Sequence, residues 1–232
     1  MISVVMPIYN EGTSIFVNLE KTREVMRLAG DFEIIPVNDG STDLSPLEID
    51  RAATTFHEIH PLHLSHSGKG EALRQGALKA RGDWVIFMDS DLDLPPEQIL
   101  FFIAIQKARN ADAVIGSKMH TDSTVDYPFH RRLYSWGYYI LIKILFNLPL
   151  RDTQTGLKLF RKTLLLQALQ QTTLKGFAFD LELLAQLSRL KARMVEAPVV
   201  VDFKLKFGGI GGKEIFRILN DTYRTWRKLQ RI

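Results

Sequence analysis

The sequence predicts an α/β fold in which a mostly parallel central sheet is flanked by helices. Short apolar runs of strand length recur along the chain. Amphipathic stretches of helical length separate them. The polar clusters fall directly behind the apolar runs, as they do where a ligand sits beyond the carboxyl ends of parallel strands.

The first run, Ile2–Met6, is stopped by Pro7 and reads as a buried strand. Thr13–Leu28 has helical spacing, Glu33–Val37 reads as a second strand, and Ser45–Phe56 as a second helix. Pro61–Leu64 is a weaker strand, followed by a helix over Lys69–Ala80. Trp84–Met88 (WVIFM) is the fourth strand, and Pro96–Arg109 the helix after it. Ala113–Ile115 and Met194–Val201 are weaker strand candidates. Strands alternating with helices of this length imply right-handed crossovers.

Two segments point to a membrane surface. Leu133–Leu150 is apolar nearly all round, carries Lys143 and ends near Pro149, and is marginally short for a span of ~20 residues. Trp136, Tyr138 and Tyr139 at one end suit the interface. Lys213–Arg231 has apolar residues at helical spacing with Arg217, Arg224, Lys228 and Arg231 at other positions, the pattern of a basic surface helix. The expected organisation is a catalytic domain over residues 1–207, with 131–150 as an interfacial helix, and a basic amphipathic extension over 208–232. With no basic segment ahead of an apolar stretch in MISVVMPIYNEG, no signal peptide is expected.

Composition excludes several classes. The chain has no cysteine, which removes disulfide frameworks, thiol nucleophiles and Cys-based zinc sites, and is compatible with a reducing cytoplasm. From Val201 onward eight Lys and Arg face three acids, an excess greater than the net charge of +4 of the whole chain. Such an end suits a polyanionic partner. Nucleic acid is set aside, because no RRM, KH or OB signature is present and the aromatics do not interleave with basic residues on strands.

Three strand ends deliver polar groups: Tyr9-Asn10-Glu11, Asn38-Asp39-Gly40 and Asp89-Ser90-Asp91. In FMDSDLDLPPE the apolar run delivers Asp89, Asp91 and Asp93 out of the core, and alternation in an extended segment places them on one side. Carboxylates so placed repel unless a cation joins them, and hard oxygen ligands favour Mg²⁺ or Mn²⁺. An EF-hand is excluded because Leu94 and Leu100 stand where that loop needs glycine and glutamate. A P-loop is excluded because SGKGE lacks the upstream glycine.

With these pieces together the sequence resembles the family 2 glycosyltransferases. VVMPIYNEG matches the family's opening strand, VNDGSTD its second-strand motif, and HSGKGEALRQGALKARGDWVIFMDSDLDLPPE the approach to its DxD. The second half, with GSK at Gly116–Lys118, DTQTGLKLFR at Asp152–Arg161 and GFAFDLELL at Gly176–Leu184, is similar to the dolichol-phosphate mannose synthases and dolichyl-phosphate glucosyltransferases. It departs from that branch at Asp93, at Lys118 and in FKLKFGG.

The resemblance implies a GT-A fold with a Rossmann-like nucleotide-binding half. It implies inverting, metal-dependent transfer of mannose or glucose from GDP-mannose or a UDP-hexose to a polyprenyl or dolichyl phosphate. It also places the protein peripherally on the cytoplasmic face of a membrane. Pro7, Tyr9, Glu11, Val37, Asp39, Lys69 and Ser90 would line the nucleotide pocket, with Asp39 on the base. Asp89 and Asp91 would hold the metal on the diphosphate, with Asp93 as a third or water-mediated ligand. Gln154 would face the sugar or the acceptor channel, while Asp152 and Glu182 carry no assigned role.

A phosphate acceptor ionises near pH 6 and needs no base, only cations to place it. Arg131, Arg132, Lys204 and Lys206 are the candidates, with Lys118 as a fifth; Arg131 and Gln154 join the two acids as catalytic residues. A saccharide hydroxyl acceptor would instead need a base, and Asp152 or Glu182 would be the suspects.

Overall fold

The computed structural model describes residues 1–125, 129–174, 176, 178–201 and 220–228; the side chains of 129–136 fall outside the description. In chain order the elements are β1 (Ile2–Ile8), α1 (Ser14–Ala29), β2 (Phe32–Asp39), α2 (Ser45–Thr55), β3 (Leu62–Leu64), α3 (Lys69–Lys79) and β4 (Trp84–Phe87). There follow α4 (Gln98–Arg109), β5 (Ala113–Ser117), α5 (Phe129–Phe146), β6 (Lys158–Arg161), α6 (Lys162–Gln171), α7 (Phe179–Arg189) and β7 (Met194–Pro198).

The strands form one sheet in the order β3-β2-β1-β4-β6-β5-β7. Neighbouring strands are parallel except that β6 runs antiparallel to both β4 and β5. The expected α/β architecture is therefore present, as are all six expected strands, with ends shifted by a few residues. The sequence reading did not identify β6, α6 or α7. β6 is short and opens on Lys158, which a strand pattern reads as polar, yet this side chain is buried.

Period-2 alternation sends strand side chains to two cores. Val5, Ile35, Val37, Val85 and Phe87 face one side, beneath α3, α6 and α7. Val4, Met6, Ile34 and Ile86 face the other, beneath α1, α2 and α4. Both faces are covered, which is why these strands read as continuous apolar runs. Gly76 lets α3 approach the sheet, because a Cβ there would collide with Val5 and Val37.

At the amino-terminal edge the Glu33 carboxylate accepts hydrogen bonds from Ser3 Oγ (2.6 Å), Arg81 N (2.6 Å) and Arg81 Nε (2.7 Å). This ties β1, β2 and the approach to β4 together.

The two segments expected as surface helices are described in part. α5 ends at Phe146, and Asn147 takes a left-handed φ of 48° two residues before Pro149. Ile142, Leu148 and Leu150 belong to the core, so part of the apolar character of this segment is ordinary packing; Ile144 on the outer side is 75% exposed. Residues 220–228 are helical and lie against the body: Thr222 Oγ1 is 3.1 Å from Tyr138 Oη, and Thr225 is buried. Lys228 turns inward, donating to Glu182 Oε1 (2.6 Å), Gln171 O (2.9 Å) and Thr173 Oγ1 (2.9 Å). A buried carboxylate outcompetes solvent for its ammonium, so Lys228 is not part of an outward basic face. Among the described residues no helix is long and apolar enough to cross a membrane.

Candidate active site

The strand order reverses between β1 and β4, and the loops after β1, β2 and β4 meet at that carboxyl edge, where open α/β sheets bind ligands. The β1 and β2 loops are laced together. Asn10 N donates to Ser41 Oγ (3.0 Å), Thr42 N to Asn10 Oδ1 (2.9 Å), and Gly12 N to Asp43 Oδ2 (2.7 Å). Ser45 Oγ accepts from both Glu11 N (2.9 Å) and Gly12 N (3.0 Å). Asn10 and Gly12 both take positive φ, which bends the chain sharply after the strand. Tyr9 is left 47% exposed at the mouth, with its ring 4.3 Å from that of His66.

Asp39 ends β2 and is buried. Its carboxylate accepts from Ser67 N (2.8 Å) and Gly68 N (2.9 Å), and His66 Nδ1 lies 3.0 Å from Oδ2. It thus fixes the loop from which α3 starts, and Lys69 is the first residue of that helix. Pro7 and Val37 are partners in the β1–β2 register, but the Val37 side chain belongs to the core beneath α3. Only the backbone of Val37 is free to contribute to a pocket.

After β4 the chain does not stay extended. Leu92 takes a φ of 56°, and Asp93 N donates to Asp91 Oδ1 at 3.2 Å, so Asp91 and Asp93 sit on a turn. This corrects the expectation of three alternating carboxylates on one side. Among the described residues no three His, Cys, Asp or Glu gather as a metal cluster. Ser90 is buried; its carbonyl accepts from Asn18 Nδ2 (2.8 Å) and its Oγ lies 3.4 Å from Glu11 Oε1.

Asp89 is ion-paired with Lys69. Its carboxylate also lies against Gly156, where a Cβ would collide with it. Burial alone would raise the Asp89 pKa, but Lys69, with Lys158 and Lys118 behind it, holds it below the usual range. Burial likewise opposes the Lys69 ammonium, yet Asp89, Asp180 and Asp91 outweigh it and raise its pKa. Burial and then Asp89 raise Asp91, and burial and then Asp91 raise Glu11. A turn with two carboxylates, one already neutralised by a lysine standing in for a cation, suits a hard divalent ion that takes its other ligands from phosphate and water. Asp89 and Asp91 would hold it.

The far wall comes from β6. Because β6 runs antiparallel, its amino end reaches the same edge: Lys158 pairs in register with Phe87 of β4 and Ile115 of β5. The segment before it is organised by Asp152. Asp152 Oδ2 accepts from Thr155 Oγ1 (2.6 Å) and Lys118 N (3.0 Å), and Oδ1 from Gln154 N (2.9 Å). Lys118 and Gln154 are therefore held side by side. Lys158 is 1% exposed and donates to Thr155 O (2.6 Å) and Asp180 Oδ1 (2.7 Å); Asp180 is 7% exposed.

Lys158 and Asp180 lie within the motifs at Asp152–Arg161 and Gly176–Leu184, and neither carries a role in the expectations drawn from sequence. Lys158 stands between Leu157 and Leu159, and a lysine among apolar neighbours is the one local hint of a buried carboxylate partner. The two acids left without a role are now distinguished. Asp152 organises its loop, while fully buried Glu182 accepts from Thr173 N and Leu174 N (both 2.8 Å) and from Lys228. The backbone of Arg131 and Arg132 lies in α5, but their side chains, and all of Lys204 and Lys206, lie outside the described residues.

The chain is similar to known glycosyltransferases in sequence and in fold. The chain is 30% identical over 202 residues to glycosyltransferase AglD of Haloferax volcanii, covering 85% of this chain and 32% of that protein. It is 31% identical over 229 residues to dolichyl-phosphate beta-glucosyltransferase ALG5D of Trichomonas vaginalis, covering 90% of this chain and 69% of that one. The chain thus spans about a third of the first relative and about two thirds of the second. Among solved structures, glucosyl-3-phosphoglycerate synthase of Mycobacterium tuberculosis, in complex with Mn²⁺, UDP and phosphoglyceric acid, superposes with a TM-score of 0.71 at 19% identity, over 97% of this chain and 78% of that one. The mannosyltransferase PcManGT of Pyrobaculum calidifontis, in complex with GDP-Man and Mn²⁺, gives 0.67 at 21% identity, over 100% and 64%. At such identities the structures show a shared GT-A fold. Residues 3–168 match the model of glycosyl transferase family 2, and the chain belongs to that family.

Proposed function

We propose that the protein transfers a hexose from a nucleoside diphosphate sugar to a polyprenyl or dolichyl phosphate, with inversion, at the cytoplasmic face of a membrane. The names of relatives, dolichyl-phosphate beta-glucosyltransferases in Trichomonas vaginalis and in Saccharomyces cerevisiae, favour glucose as the sugar. In this reading residues 1–207 are the catalytic domain. The Mn²⁺ in the two superposed structures supports a divalent ion at Asp89 and Asp91, with Mg²⁺ as the alternative.

The observation that favours a phosphate acceptor is the state of the two acids suspected as bases, Asp152 and Glu182, and of Asp180. A hydroxyl acceptor needs a free carboxylate as base. Asp152 carries three hydrogen bonds from its own loop and from Lys118, Glu182 is buried against backbone amides and Lys228, and Asp180 is paired with Lys158. A phosphate monoester, by contrast, is already an anionic nucleophile at neutral pH.

The residues then divide the work. Tyr9 and Asp39 receive the base, and Asp89 and Asp91 would hold a divalent cation, which would supply charge stabilisation for the departing diphosphate. Lys69, at the start of α3, neutralises the same oxygens from the chain's side. Lys118, with Arg131, Arg132, Lys204 and Lys206, places the acceptor phosphate, and Gln154, held beside Lys118, faces the sugar.

The test is transfer from UDP-glucose and GDP-mannose, with Mn²⁺ or Mg²⁺, to polyprenyl phosphate and to the corresponding free alcohol. Transfer to the phosphate alone is expected. Equal use of the alcohol overturns the phosphate-acceptor reading and leaves family membership untouched.

A further inference from the structure

The Lys69 ammonium is ion-paired with Asp89 Oδ1, on the carboxylate assigned above to the metal. Among the described residues this is the one ion pair that Asp89 makes. An ammonium and a divalent cation on one carboxylate repel each other, so each weakens the other's hold on it.

Lys69 is built to yield. Its four-carbon stem is flexible and ends in a point charge. It opens α3, and the positive end of a helix dipole favours an arriving anion. Its loop is pinned by the Asp39 carboxylate through Ser67 N and Gly68 N, so displacing the ammonium need not displace the backbone. Asp39 is also the residue assigned to the base, so both ends of a donor would act on residues 66–69.

We propose that Lys69 is a placeholder cation that occupies Asp89 in the donor-free enzyme, competes there with the divalent metal, and is drawn off by the donor diphosphate. The proposal rests on the donor-site reading above. Its consequence is synergy. Metal alone binds weakly, because it must displace the ammonium with no anion to receive it. A nucleoside diphosphate takes up the ammonium and so frees Asp89.

The test is calorimetric titration of Mn²⁺ alone into the wild type, Lys69→Met, Lys118→Met and Asp89→Asn. Lys118 acts on Asp89 from a distance without an ion pair, so its removal controls for the loss of one positive charge. Lys69→Met should bind Mn²⁺ about three- to tenfold tighter than the wild type, the range expected for releasing a half-exposed ion pair. Lys118→Met should change affinity by less than half that factor, and Asp89→Asn should abolish binding. The proposal is overturned if Lys69→Met binds Mn²⁺ no more tightly than the wild type, or no more tightly than Lys118→Met. A parallel titration with UDP or GDP separates the two readings. If neither nucleotide binds any of the four proteins, the donor-site reading fails, whatever the Mn²⁺ result.

Discussion

Lys158 Nζ lies 2.7 Å from Asp180 Oδ1, and both side chains are shielded from solvent directly beneath the carboxyl edge of the sheet. Removing one member of such a pair leaves an uncompensated buried charge. Lys158→Met should therefore cost about 3–5 kcal/mol of stability, measured by urea unfolding. Combining it with Asp180→Leu should recover most of that loss, since a well-packed apolar pair replaces a buried ion pair at little cost. Wild-type stability in the single variant would show that the pair is not isolated from water.

Asp89→Ala and Asp91→Ala should each lower transfer by at least about a hundredfold, the scale of removing a group that stabilises developing charge. Circular dichroism and thermal midpoint should stay near wild type, because both side chains sit at the rim of the fold. Chelation of divalent metal should mimic either variant. Turnover that survives in both would rule out the diacid as the metal site.

The acid limb of the pH–rate profile distinguishes a phosphate nucleophile from a carboxylate base. With polyprenyl phosphate as acceptor, the rate should fall as pH drops through about 6, following the second phosphate ionisation. Asp152→Asn should keep that limb in place and raise KM for the acceptor, because Asp152 organises the loop that holds Lys118 and Gln154. Loss of the limb in this variant would make Asp152 a base after all.

Glu33 controls acid stability at the opposite edge. Burial alone would raise its pKa, but the Ser3 hydroxyl and the backbone and guanidinium of Arg81 outweigh it and lower the value. With the folded pKa below the unfolded one, this stabilisation is present at neutral pH. It is lost as pH falls below about 4, through the folded value. Glu33→Gln should lose about 1–3 kcal/mol at pH 7, the cost of weakening charged hydrogen bonds to a buried group. The deficit should shrink toward acid pH in denaturant titrations; a deficit that is constant from pH 7 to pH 3 would contradict the assignment.

Much of this was legible in the sequence where one local pattern dominates. Ile2–Met6, Glu33–Val37 and WVIFM are buried on both faces, so their apolar runs announce strands, and the acids behind them announce an edge. β6 was not legible, because Lys158 and Arg161 bound a run of two apolar residues. Only the pairing with β4 and β5, and with Asp180 some twenty positions on, makes it a strand. The turn at Leu92 was also hidden, since alternation presumes an extended chain and nothing in DSDLD announces a positive φ. The role of Asp152 depends on Lys118, which is distant in sequence, and no short motif contains both.

The hydrogen bond from Lys118 N to Asp152 Oδ2 has a further meaning for the layout of the chain. It closes the excursion formed by residues 119–151, whose two ends leave and rejoin the sheet as neighbours on β5 and β6. Loop-closure cost grows only slowly with length, so with its ends clamped this segment can vary in length between its packed residues at little cost to the sheet. The segment carries α5 and the two arginines assigned to the acceptor, and none of the residues assigned to the donor. Variation between these two fixed ports, outside the packed Ile142, Leu148 and Leu150, would re-aim the enzyme at a different acceptor while its nucleotide-sugar half stayed unchanged.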